Sequence, residues 1–216
     1  MSPYYCFKCK KFLEYGYLCN NCLKEVGFSL NIFCPKCKRR KPLEENISSI
    51  CCSNLIRSLI TFSDYENEFI KNLIKMGKFM GFYKIFEFLG NLASSEIKKY
   101  KLDFKNYMLT YIPMYKKDEK QRGFNQSKIL AETISKNLNL RIFEGLKKTK
   151  QTKLQSTLNF EERFKNIENA FECICEAPKN ILLVDDVITT GATSFECAKI
   201  LKEKGAKKII LLTIAK

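Results

Sequence analysis

The sequence predicts an α/β protein: a doubly wound, mainly parallel sheet carrying a small cysteine-rich domain at its amino end. Three observations predict it. The run Ile181-Leu182-Leu183-Val184 is apolar without alternation, as a strand covered on both faces must be, and Pro178, Lys179 and Asn180 precede it as turn-formers. A helical stretch from Ser194 to Lys204, capped by Gly205, and a second apolar run from Lys208 to Ala215 follow. Together they close a strand, helix, strand unit whose crossover should be right-handed. Eight of the eleven cysteines fall before position 53, which separates residues 1–55 from residues 56–216 by composition.

In the head, Cys6, Cys9, Cys19 and Cys22 read C-x2-C-x9-C-x2-C. Each C-x2-C turn presents two thiolates to one tetrahedral zinc at about 2.3 Å, and two such turns complete a closed structural site. Cys34 and Cys37 open a second knuckle, but its partner is the adjacent pair Cys51-Cys52, a strained pattern. The second zinc therefore stays open, with Cys52 the better ligand because Ser49 stands three residues before it. Lys36, Lys38, Arg39, Arg40 and Lys41 form the densest basic cluster of the chain. They suit a nucleic-acid backbone, with Tyr4, Tyr5, Phe7, Phe12, Tyr15 and Tyr17 available for stacking, or else a solvated loop around a small aromatic core.

Charge and composition set limits. The formal charge is +15, yet 32 of 38 basic residues are lysine, so clustering says more than the total. The complete lack of histidine removes imidazole bases and Ser/His or Cys/His nucleophilic sites. No apolar stretch approaches membrane-helix length and no secretory segment opens the chain, which predicts a cytoplasmic protein whose cysteines hold metal. Neither a P-loop nor a Gly-x-Gly-x2-Gly fingerprint occurs.

The middle of the chain is helical from Tyr65 to about Lys99, with Gly77 and Gly81 as candidate breaks. Tyr107 to Met114 reads as a strand ending near Pro113, followed by a charged loop from Tyr115 to Gly123 and a helix from Asn125 to Leu138. Arg122 and its neighbours then stand at a helix start, where free backbone N–H groups bind anions. The long polar segment 152–171 contains Gln155 and Arg163 and reads as a mobile flap.

The strand from Ile181 ends in Asp185-Asp186 and continues as Val187-Ile188-Thr189-Thr190-Gly191-Ala192-Thr193. In an open sheet, ligands sit beyond the carboxyl ends of strands. Successive N–H groups of the loop and the next helix form a donor surface for phosphate, and Gly191 allows close approach. Adjacent carboxylates cannot hold phosphate, but they accept hydrogen bonds from vicinal ribose hydroxyls. The combination points to a ribose 5-phosphate group.

This run resembles the 5-phosphoribosyl pyrophosphate (PRPP) signature of type I phosphoribosyltransferases. Together with Arg122-Gly123-Phe124-Asn125-Gln126-Ser127, the T-x2-Q-x2-L-x4-R-x2-N-x3-A-F pattern at 152–171 and the cysteine head, the chain resembles the ComF/GntX family over nearly its whole length. The departures are the degenerate last knuckle and Lys148 and Lys150 where arginine is common. The resemblance implies a type I phosphoribosyltransferase-like fold with a zinc-ribbon-like head. It implies Asp185 and Asp186 on the ribose as the catalytic pair, and Val187 and Thr189 to Thr193 on its phosphate. It also implies a pyrophosphate loop from Pro113 to Lys117, with Arg122, Gln155 and Arg163 lining the site. PRPP would bring Mg2+, and for many members the role is in natural transformation, with single-stranded DNA and other DNA-uptake proteins as partners. Whether the pocket transfers its phosphoribosyl group, only binds it, or serves a protein scaffold is left open by the residues.

Overall fold

The computed structural model describes residues 5–14, 16–42, 47, 49–153 and 158–216. Its central sheet is built around the apolar runs of β7 and β8. β3 (Ser58–Ser63), β8 (Lys208–Ala215), β7 (Asn180–Val187) and β4 (Met108–Tyr111) lie parallel in that spatial order. Leu183 is aligned with Leu211 on one side and Thr110 on the other.

Both faces are covered. Leu182 and Val184 pack with α2 (Glu68–Met80), α3 (Lys84–Lys99) and α5 (Gln126–Leu138), while Ile181 and Leu183 pack with α7 (Ala192–Glu203) and α6 (Phe160–Ile167). The second face also takes the antiparallel pair of β5 (Leu146–Lys148) and β6 (Phe171–Cys173). Two-sided burial is why β7 and β8 read as nearly unbroken apolar runs. Each such side chain contributes about 1.5–3 kcal/mol when fully removed from water.

The cysteine-rich head joins this sheet. β1 (Asn31–Phe33) pairs antiparallel with both β2 (Arg40–Lys41) and β3, so the head extends the β3 edge. Cys6, Tyr17, Leu18, Cys22 and Val26, around the short helix α1 (Asn20–Val26), share one apolar core with α2 and α3. Tyr17 meets Phe88 of α3 edge-on at 5.5 Å between ring centroids. The compositional boundary near residue 55 thus crosses no gap in packing.

Two expectations change. The charged segment after Pro113 is not a loop but a helix, α4 (Lys116–Arg122), ended by Gly123 at φ +88°. The middle helix breaks at Gly81, at φ +74°, and not at Gly77. Gly77 serves packing, since a Cβ there would lie 2.6 Å from the Phe86 ring. Among the described residues, no helix is long and apolar enough to cross a membrane.

Candidate functional site

The chain leaves β4 toward α5 on one face of the sheet and leaves β7 toward α7 on the other. This reversal opens a crevice beyond the carboxyl ends of the two strands. Asp185 and Asp186 end β7 at that point. Alternation along the strand sends them different ways: Asp185 is partly buried, and Asp186 is 3 % exposed.

Both acids are held by side chains from the α2 and α5 side of the sheet. Ser127 Oγ donates to Asp185 Oδ1 at 2.8 Å, and Gln126 Nε2 donates to Asp186 Oδ1 at 3.3 Å. Lys78, on the last turn of α2, forms an ion pair with Asp186 Oδ2. Burial, with the neighbouring Asp186 charge, pushes the Asp185 carboxyl up from 3.8 to about 7, against the opposing pull of Ser127 and Lys78. The crevice therefore holds one carboxylate paired with Lys78 beside another poised between its neutral and charged forms, which a set of hydroxyl donors or a cation would draw toward the charged form.

The loop after β7 supplies the complementary half. Gly191 takes φ +79°, and α7 begins there with no side chain capping its amino end. Its N–H groups and positive dipole end face the crevice, an arrangement suited to phosphate. Thr190 Oγ1 accepts from Ala192 N at 3.3 Å, Thr193 follows on the first turn, and Val187 still pairs with Ala215 in the sheet. Exposed Thr189 accepts at Oγ1 from Arg163 Nη1 at 3.1 Å. Arg163 comes from α6, whose start is fixed by a capping box between Asn159 and Glu162.

The β4 side is built differently. Buried Pro113 ends the strand, and Asn125 Nδ2 donates to the Ile112 carbonyl at 3.1 Å. The same Asn125 accepts at Oδ1 from Ser127 N and Lys128 N at 2.9 and 3.3 Å. Those N–H groups, expected to be free for an anion, are satisfied internally. What this side offers is Arg122, whose Nη1 donates to Gln126 Oε1 at 2.8 Å. Gln155 lies outside the described residues. Within the segment 152–171, Lys153 N donates to Asn166 Oδ1 at 3.0 Å and Asn166 Nδ2 donates to the Lys153 carbonyl at 2.9 Å. Gln151 Nε2 also reaches Asp118 of α4 at 3.1 Å.

In the head, the sulfurs of Cys6, Cys9, Cys19 and Cys22 lie within 4.8 Å of one another, and so do those of Cys34, Cys37, Cys51 and Cys52. Both tetrads can hold a structural zinc. The adjacent Cys51 and Cys52 reach different partners, Cys37 at 3.6 Å and Cys34 at 3.4 Å, so the irregular spacing closes and Cys51 is a ligand candidate equal to Cys52. Burial raises the Cys6 and Cys34 thiols, but backbone N–H groups outweigh it and bring each to about 6, while burial pushes Cys22 up and the neighbouring Cys37 and Cys34 push Cys52 up to about 12, so that without metal each tetrad shares its protons unevenly.

Of the basic cluster, Lys36, Lys38, Arg39 and Arg40 are exposed. Lys41 is 2 % exposed, and its ammonium donates to Ser49 O and Oγ, Arg57 O and Ser58 Oγ at 2.9–3.2 Å. It ties the second knuckle to β3 and has no donor to spare for an outside phosphate.

Sequence reasoning missed Lys78, Gln126 and Ser127 as partners of the acids. Gln126 and Ser127 sat within a recognised motif, but Lys78 had no local signal, being 108 positions from Asp186 in a helix read only for packing.

These features define a mixed α/β protein with a mostly parallel sheet, two cysteine tetrads fit for zinc, and a crevice of paired acids facing a helix amino end. The competence protein ComFC of Bacillus subtilis (strain 168) is 30 % identical over 204 residues, 87 % of this chain and 79 % of that protein. The DNA utilization protein YhgH of Escherichia coli O6:H1 is 28 % identical over 223 residues, covering 96 % of this chain and 94 % of the relative. ComFC of Streptococcus pneumoniae is 31 % identical over 156 residues, 71 % and 64 % of the two chains. No family model matches the chain. The chain belongs to the ComF family.

Proposed function

We propose that this protein binds PRPP, with Mg2+, in the β4–β7 crevice and acts in natural transformation by handling incoming single-stranded DNA in the cytoplasm. The observation that carries the pocket is the convergence of Asp185-Asp186, the uncapped start of α7 and Arg163. The acids would accept from ribose hydroxyls, and the 189–193 loop would take the 5-phosphate. Arg122, the Pro113 turn and Gln155 would attend the pyrophosphate. Mg2+ would neutralise the pyrophosphate and bring positive charge beside the acids. The names of the relatives from Bacillus subtilis and Escherichia coli support a DNA-linked role. Exposed Lys36, Lys38, Arg39 and Arg40 are the head's candidate phosphate contacts.

Calorimetric titration with PRPP and Mg2+, repeated with single-stranded DNA present, tests both halves. Saturable PRPP binding that Asp185→Asn with Asp186→Asn abolishes supports the pocket, and its absence in the intact protein sinks it. Elemental analysis should give two zinc ions per chain, falling to one in Cys34→Ser.

A second reading, an active phosphoribosyltransferase of nucleotide metabolism, is favoured by the segment 152–171, which brings Arg163 onto Thr189. A segment set to cover the crevice would keep water from a ribosyl cation. Pyrophosphate release on incubation with PRPP and candidate bases or amines distinguishes transfer from binding alone.

A further inference from the structure

The turn joining α2 to α3 carries four large apolar residues within five positions. Phe79, Met80, Phe82 and Tyr83 are 74, 63, 40 and 44 % exposed. Scattered apolar residues such as Ile50 and Ile174 are ordinary on a surface, but a contiguous group marks a place of contact. The turn is well fixed: Tyr83 N donates to the Gly81 carbonyl at 2.9 Å, Ile85 N to that of Phe82 at 3.0 Å, and Ile85 and Phe86 are fully buried. A firm frame holds these side chains outward.

The ridge begins where the acid crevice ends. Phe79 follows Lys78, the partner of Asp186, and the Arg122 guanidinium stands 6.0 Å over the Phe79 ring. Beyond Tyr83, which lies 6.2 Å from Phe124 between centroids, a cleft of about 880 Å³ runs between α3 and α5. It is lined in part by Glu87, Glu132, Arg122 and Lys136. Lys75 and Lys84 flank the turn, and α4 brings Lys116, Lys117 and Lys120 alongside Asp118 and Glu119.

We propose that residues 79–83 form a stacking platform for the unpaired bases of single-stranded DNA, with Lys75, Lys84 and the lysines of α4 attracting the strand's phosphates. The proposal rests on the DNA-handling reading above and gives that reading a location on the sheet domain instead of the zinc head. Exposed rings beside cations are the parts that bind single strands without regard to sequence, because every base has a π-face and every link a negative charge. A duplex hides its base faces, so the platform selects single strands.

Anisotropy of a labelled oligothymidine with the full-length, zinc-loaded protein tests this. Phe79→Ala with Phe82→Ala should weaken binding about tenfold or more, with the melting temperature little lowered because Phe79 is largely and Phe82 partly exposed. An abasic strand of equal length should bind the wild type weakly and not register the substitution. If the variant binds the oligothymidine as well as an intact wild type does, the platform is wrong and the DNA reading survives. If the wild type binds no strand even at low salt, both fall. Should sedimentation show that the substitutions split a wild-type dimer and leave strand affinity alone, the turn is a self-association surface and the proposal is overturned.

Discussion

The two helix starts that face each other across the crevice, those of α5 and α7, are used in opposite ways. After β4, Asn125 caps α5 and satisfies the N–H groups of Ser127 and Lys128. After β7, Gly191 starts α7 with no side chain of its own to cap it, and Thr190 Oγ1 takes up the Ala192 N–H. The capped helix gives side chains, because a rigid first turn lets Gln126 and Ser127 hold the two acids in fixed directions. Its glycine-started counterpart gives backbone, because N–H groups at a positive dipole end suit an anion. A helix amino end is thus a ligand site only when nothing local has already consumed it.

Substitutions can break this contrast from either side. The largest effect is expected at Gly191→Ala, where positive φ costs about 1–3 kcal/mol and the new Cβ lies 2.8 Å from the Phe195 ring. PRPP affinity measured by calorimetry should fall by about a hundredfold as the loop shifts; unchanged affinity would remove the loop from the pocket.

Next comes Asp185→Asn, read through pH. The folded carboxyl titrates near 7 and the unfolded one near 3.8, so the folded state binds its proton more tightly. Wild-type stability therefore declines relative to the variant as pH rises from about 4 to 7, and the gap is level above that. Denaturant melts at pH 4.5 and 8 should show the variant gaining about 2 kcal/mol over wild type at the higher pH only. An equal gap at both would mean that the acid is not held in its neutral form by burial.

Asn125→Ala should cost about 1–2 kcal/mol of stability through loss of the α5 cap, while PRPP affinity stays within about threefold. A large loss of affinity with little loss of stability would give the capped helix start a ligand role after all. The smallest effect is expected for Ser127→Ala, which removes one hydrogen bond to Asp185, about 1–2 kcal/mol, and should raise the Asp185 titration midpoint as followed by carboxyl NMR.

Much of this was legible because it is local. The unalternating run from Ile181, the acids at its end, Gly191 and the α5 boundaries are all set by a few neighbouring residues, and the structure places each element where it was read. β3 escaped, since Ser58-Leu-Ile-Thr-Phe-Ser63 has serines at both ends and mixes polar with apolar residues, yet all six are buried between β1 and β8. The charged helix α4 escaped because Lys116 to Arg122 has no apolar face to show a period.

The sequence by itself determined the parallel α/β unit, the pairing of adjacent acids with a glycine loop, and the first cysteine tetrad, because period, turn chemistry and C-x2-C spacing act over a few residues. Tertiary structure decided what those parts do to one another. It closed the second tetrad through Cys51 and Cys52, buried the Lys41 ammonium beneath β3, and brought Lys78 onto Asp186 from a distant helix. It also satisfied the Ser127 and Lys128 N–H groups at one helix start, while at the other only the Thr190–Ala192 bond stands in for a side-chain cap among the described residues. Such outcomes depend on which groups meet when the layers pack and on what is left unsatisfied once they have, and no window of local sequence carries that.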